Sequence, residues 1–244
     1  MPAYHDRDVD RSSRRAFTLI ELLVVLAIIS VLLSILIPSL HAVKARAYQT
    51  GCMHNLKQIG LGMSMYLDGN DNIWPCAEDP VSTNPLYWLW MGRGWRAFVK
   101  PYLGGAIDVN NPSILLCPED RADPMKYEST SYAYSMAFYH SPDQIDAMSD
   151  KADTYSNPRP SVRQRIGDVA NPSAKILIGE WASNHLPIDP QQEQGWWNWQ
   201  GARNFLFVDG QAVFLHAEQI RPARDGLPDV NLTINGIKGR DWTP

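Results

Sequence analysis

The sequence predicts an α+β fold: a long N-terminal helix, half in a membrane and half soluble, packed on a small antiparallel sheet. Three observations predict it. Residues 17–67 read as helix almost throughout. After residue 68, Gly, Pro, Asn and Asp become frequent and the apolar runs become short, the pattern of brief strands joined by turns. NFLFVDGQAVFL (204–215) places two apolar runs around Asp209-Gly210, a hairpin signal.

The first fifteen residues are polar and end in RSSRR. Phe17 to Ile37 is apolar and spans about 31 Å as a helix, the thickness of a bilayer core. The arginines before it keep residues 1–15 in the cytoplasm and send the remainder across the membrane. Glu21 is the one carboxylate in this stretch, a helical turn past Phe17. A membrane anchor gains nothing from an acid, so Glu21 is either an acid tolerated near the interface or one that a cation meets. A cut after Ala16 would supply one, because the new amine of Phe17, with an ordinary pKa of about 7.7–8.0, stays mostly protonated at neutral pH. Between staggered helices Glu21 reaches a neighbour's amine and sets the packing register. Pro38 removes one helical hydrogen bond and predicts a kink rather than an end.

Beyond Pro38 the helical pattern continues. Cys52, Leu56, Ile59, Met63 and Tyr66 form one apolar stripe that must be buried against a globular domain. LDGND (67–71) ends it. Further strands are expected at 113–117, 131–138 and 174–181, with a last one at 230–236. A short helix is expected within 141–150, inside a surface excursion over 141–173, and a loop over 182–200. The hairpin turn is expected to be a two-residue type I′ turn at Asp209-Gly210.

RRAFTLIELLVVLAII resembles the type IV prepilin N-terminal signal of pilins and type II secretion pseudopilins. The resemblance implies a pilin-like fold, cleavage by a prepilin peptidase between Ala16 and Phe17, and methylation of Phe17. Ala16 stands where the family usually has Gly. The implied organisation is a cytoplasmic leader (1–16), a transmembrane helix (17–37), its soluble continuation (38–67) and a periplasmic or exterior globular domain (68–244). The implied partners are prepilin peptidase, other pilin or pseudopilin subunits and inner-membrane lipid. CMHNLKQIGLGMSMYLDGNDNIWP, LLCPED and the Asp-Gly hairpin are similar to a planctomycete-type group of pilin-like proteins. That group usually carries a His ten residues before the hairpin Asp, where Trp199 stands here. The group's two recurring cysteines correspond to Cys52 and Cys117, which implies a disulfide between them in an oxidising compartment. Cys76 can replace either partner.

The competing reading is an exported envelope protein, carbohydrate-binding or enzymatic. SRRAFT also resembles a twin-arginine signal, and Ala45-Arg46-Ala47 is a signal-peptidase sequence. The apolar run exceeds the usual length of such signals, which favours the pilin reading.

A formal charge of −4 gives no reason to expect nucleic acid. The three cysteines form no CxxC pair and no His follows at zinc-site spacing, so no metal is expected from them. His41, His54, His140, His185 and His216 each stand alone. Asp225, Asp229 and Asn231 are the candidates for a Ca²⁺ site, weakly spaced for one. Nine tryptophans, clustered at 87–95 and 196–199, suit either glycan stacking or core plugs, and core plugs are favoured. With no nucleophile elbow, HExxH or P-loop, no catalytic residue is assigned and an enzyme is not expected. Glu180, at a strand end, is the one acid singled out.

Overall fold

The computed structural model describes residues 18–76, 94–103, 114–120, 130–155, 159–186 and 188–243. It contains two compact units, Met1–Lys44 and Ala45–Pro244. Helix α1 (Leu19–Gly69) starts in the first unit and contains Pro38. From Leu19 to Val43 its apolar side chains are exposed. A helix apolar on every side must be covered by lipid or by other helices, and this one is long and apolar enough to cross a membrane.

In the second unit the predicted stripe is buried: Cys52, Leu56, Ile59 and Met63 are joined by Gly62 and Leu67. Tyr66 is half-buried and meets Phe98 and Tyr102 edge-on, from helix α2 (Arg96–Val99) and the 3₁₀ turn Lys100–Tyr102. After Gly69 the chain turns through Asp71 and Asn72, both with positive φ, and the Asn72 amide bonds back to the Leu67 carbonyl.

Four antiparallel strands form one sheet in chain order: β1 (Tyr132–Tyr134), β2 (Ile176–Glu180), β3 (Ala202–Phe207) and β4 (Ala212–His216). Tyr132, Tyr134, Ile178 and Leu206 share a core with the α1 stripe. Ala133, Ile176, Phe205 and Phe207 share a second core with Trp196, Leu215 and Val230. The sheet is therefore covered on both faces, which is why β3 is buried along its whole length. Helices α3 (Pro142–Asp146) and α4 (Lys151–Tyr155) lie in the predicted excursion. Ser141 opens α3 with a capping box to Gln144.

The structure corrects the sequence reading at four places. Residues 114–116 form a turn rather than a strand, with the Leu115 carbonyl accepting from Ser131. The 131–138 strand stops at Tyr134, because the Ser135 side chain caps a 3₁₀ turn over Met136–Phe138. Residues 230–236 are not a strand. Asp229 caps a 3₁₀ turn over Val230–Leu232, and the left-handed Asn235 and Gly236 bend the chain into another. The hairpin turn is not type I′. Of its residues only Gly210 has a positive φ, of 87°, and the Gly210 amide donates to Phe207. This is a three-residue loop closed by a left-handed Gly. Val208 and Asp209 donate to Lys175 and Pro172, and those bonds select it.

Space around Gly210 is open, so only its backbone needs Gly. Gly210→Ala is expected to cost about 1 kcal/mol, measured as a shift in the denaturant midpoint at unchanged slope.

Buried Arg203 fixes the 182–200 loop. Its guanidinium donates to the carbonyls of Trp181 and Gly195 and pairs with Glu193 at 2.9 Å. Glu193 in turn accepts from the Ser183 and Gly195 amides. Gly195 is left-handed and lies under the Trp181 ring, where a Cβ would come within 2.2 Å of the indole.

Candidate functional site

The sequence-predicted site residues fall into two groups. Ala16 and Phe17 lie outside the described residues. Glu21 is in the first turn of α1. Its Oε2 accepts from the Thr18 amide at 2.9 Å and the Thr18 hydroxyl at 2.8 Å, while the Thr18 hydroxyl accepts from the Glu21 amide. This is a capping box, written in the sequence as Thr-Leu-Ile-Glu, and it is a role for Glu21 that charge reasoning alone passed over. The described residues direct both bonds to Oε2. Pro38 stays within the continuous helix, its ring exposed.

Cys52 and Cys117 are brought together, both buried and both with free thiols rather than joined in a disulfide. Cys76, half-buried, is not in a disulfide either. Glu180 and His185 complete the group around the two sulfurs. The four donor atoms all lie within 4.8 Å of one another. Each comes from a different part of the second unit: the α1 stripe, the turn after residue 114, the end of β2, and the loop that follows it. His185 Nε2 is 2.9 Å from Glu180 Oε1 and 3.5 Å from Cys117 Sγ. Its Nδ1 faces Glu119 at 3.4 Å, an ion-pair distance without hydrogen-bond alignment. Glu180 Oε2 accepts from the Asn204 amide at 2.8 Å.

A thiol hydrogen bond with Cys52, with burial, pushes the Cys117 thiol well above its usual range. Burial opposes protonation of His185, but the bonds to Cys117 and Glu180 outweigh it and raise the imidazole to about 10. His185 was passed over in the sequence because it stands 68 residues from Cys117, and no spacing rule connects them.

Of the Ca²⁺ candidates, Asp225 accepts from the Leu227 amide through Oδ1. Asp229 accepts from the Asn231 amide and from Trp197 Nε1, and Asn231 accepts from the Met136 amide. Trp74, Trp95 and Trp196 are buried plugs. Trp181 meets Trp196 and Trp197, while Trp199, in the group's His position, is 37% exposed. The tryptophans at 87–90 lie outside the described residues.

Asp229 and His140 give a pH signature of opposite signs. Burial, then Asp225, pushes Asp229 up to about 7 from 3.8. The folded state then holds a proton that the unfolded state has lost, and stability falls as pH rises toward 7. Burial lowers His140 to about 4 from 6.5. There the unfolded state holds the extra proton, and stability rises with pH between those values. Wild type should therefore show a shallow profile between about pH 4 and 6.5. In His140→Asn the melting midpoint should fall with pH over that window, and in Asp229→Asn it should rise. The slopes are limited to about 1.4 kcal/mol per pH unit.

A model of the prokaryotic N-terminal methylation motif matches residues 11–37. The chain carries a type IV pilin-like N-terminal signal. That signal ends where the bilayer-length apolar stretch ends, at Ile37, and includes Ala16, Phe17 and Glu21. A pilin-like signal marks a prepilin-peptidase substrate held in the membrane by a single helix. No curated protein and no solved structure matches the chain.

Proposed function

We propose that this protein is a structural subunit of a type IV pilus-like filament or a type II secretion pseudopilus. Prepilin peptidase cuts between Ala16 and Phe17 and methylates the new terminus. The subunit waits in the inner membrane with residues 1–16 inside and the domain after residue 68 on the periplasmic side. It then enters the assembly through α1, where the other subunits replace lipid around its apolar surface. Glu21 meets the cationic terminus of a neighbour and fixes the axial stagger. The subunit performs no catalysis of its own.

The observation that carries this reading is the methylation motif over 11–37, continuous with a helix apolar on every side. Beyond the helix cap with Thr18, a targeting signal alone would have no use for the charge of Glu21.

N-terminal sequencing of the protein recovered from cells tests it. A start at methylated Phe17 is expected. A start at Tyr48 would mean that residues 1–47 only address an envelope protein, and an intact Met1 would mean that no peptidase acts. Either result overturns the proposal.

A further inference from the structure

We infer that Cys52, Cys117, Glu180 and His185 form a closed, four-ligand site for a zinc-class divalent cation that fastens the soluble half of α1 to the sheet. The inference concerns the second unit alone and does not depend on filament assembly.

The donor set is the first argument. Two sulfurs, an imidazole nitrogen and a carboxylate oxygen are the ligands that tetrahedral zinc takes. Two soft sulfurs favour zinc over Ca²⁺ or Mg²⁺.

Geometry is the second. Tetrahedral bonds of about 2.3 Å to sulfur and 2.0–2.2 Å to nitrogen and oxygen put the donors roughly 3.3–3.8 Å apart. Nε2 of His185 is already 3.5 Å from Cys117 Sγ, and the whole set falls within 4.8 Å. The Nε2–Oε1 distance of 2.9 Å is a hydrogen bond that a metal would open slightly.

The surroundings are the third argument. Metal-bound imidazoles usually have a carboxylate or carbonyl behind the far nitrogen, which fixes the tautomer. Glu119 stands there, 3.4 Å from Nδ1. A ligating carboxylate is usually anchored by its second oxygen, and Asn204 holds Glu180 Oε2 through its amide. Cys52 and Glu180 are fully buried and Cys117 nearly so, so water does not compete for the site.

A disulfide is the alternative for the two sulfurs. It would join α1 to the 114–120 turn, but it would leave the His185 imidazole 3.5 Å from a sulfur that no longer needs it. A cation uses all four. On binding, the two thiols and the His185 imidazolium each release a proton to solvent, and His185 then coordinates through Nε2.

The test uses the full chain, purified in detergent without chelator, with metal content measured by plasma mass spectrometry and chain mass measured under denaturing conditions. The expected result is roughly one zinc per chain and a mass with every cysteine reduced. Cys117→Ser and His185→Ala should each lose the metal. In case the variants misfold, reduced wild type stripped of metal is titrated with Co²⁺. Thiolate-to-cobalt charge-transfer bands and tetrahedral d–d bands should appear in proportion to added ion, and should disappear when zinc is added. Removal of the metal should lower the melting midpoint by several degrees. A chain two hydrogen masses light, with the Cys52 and Cys117 peptides linked, overturns the inference. So does a reduced chain that takes up neither zinc nor Co²⁺.

Discussion

Glu21→Gln is expected to insert into the membrane and to be cut at Phe17, yet to be missing from the assembled filament. The substitution separates two roles that Glu21→Ala would remove together. In the structure Glu21 closes a capping box with Thr18, and Gln can close the same box. What Gln cannot do is answer a positive charge. Losing a cap costs about 0.5–2 kcal/mol, and the cap survives cleavage because Thr18 lies beyond the cut. Leaving a neighbour's ammonium unpaired among apolar helices costs about 2.5–3.5 kcal/mol on insertion scales, and the cost recurs at every subunit. The charge should therefore dominate, with Gln as defective as Ala and Thr18→Ala near wild type. The measurement is the ratio of filament-borne to membrane-borne protein in sheared and unsheared fractions. A Gln variant that assembles like wild type while Ala fails would make Glu21 a helix cap and nothing more.

The parts of the fold governed by local periodicity were readable in the sequence. The α1 stripe needed only the 3.6-residue period, and the 141–150 helix needed only Ser-Pro-x-Gln, a capping sequence with Pro at the first helical position. The misreadings occurred where distant partners decided local structure. VNLTING is apolar enough for a strand, but Asp229 and two left-handed residues curl it into turns. The Asp-Gly hairpin was correctly placed, and its turn type was decided by carbonyls of Pro172 and Lys175. Arg203, a charge within the fully buried strand β3, is explicable only from the loop it ties down. The gathering of His185 with Cys52 and Cys117 had no local signal, because three separate segments supply it. Glu180 stood out in the sequence as a lone acid, and its partners became visible only in three dimensions.

The largest effect on stability should follow from Asp241→Ala, three residues before Pro244. Asp241 forms a salt bridge with Lys175 at 3.0 Å, with both side chains buried. It also accepts from the Ile176 amide at the start of β2 and from the Thr233 hydroxyl. Its own amide and carbonyl bond to Ala174 and Arg221, so this one residue joins the C-terminal segment to the start of β2. Burial pulls the Lys175 pKa down, with Asp241 working in the opposite direction. Without that carboxylate, Lys175 is a buried cation supported by the Thr233 hydroxyl, the Phe138 ring and the more distant Asp229. Breaking a buried pair from one side costs about 3–5 kcal/mol, more than the pair is worth intact, because the remaining charge is stranded. Asp241→Ala should therefore lose about that much at neutral pH by denaturant unfolding. Adding Lys175→Met should restore a large part of it, since the cation that needed Asp241 is gone. A double variant as unstable as Asp241→Ala would place the cost in the lost bonds to Ile176 and Thr233 and not in the stranded charge.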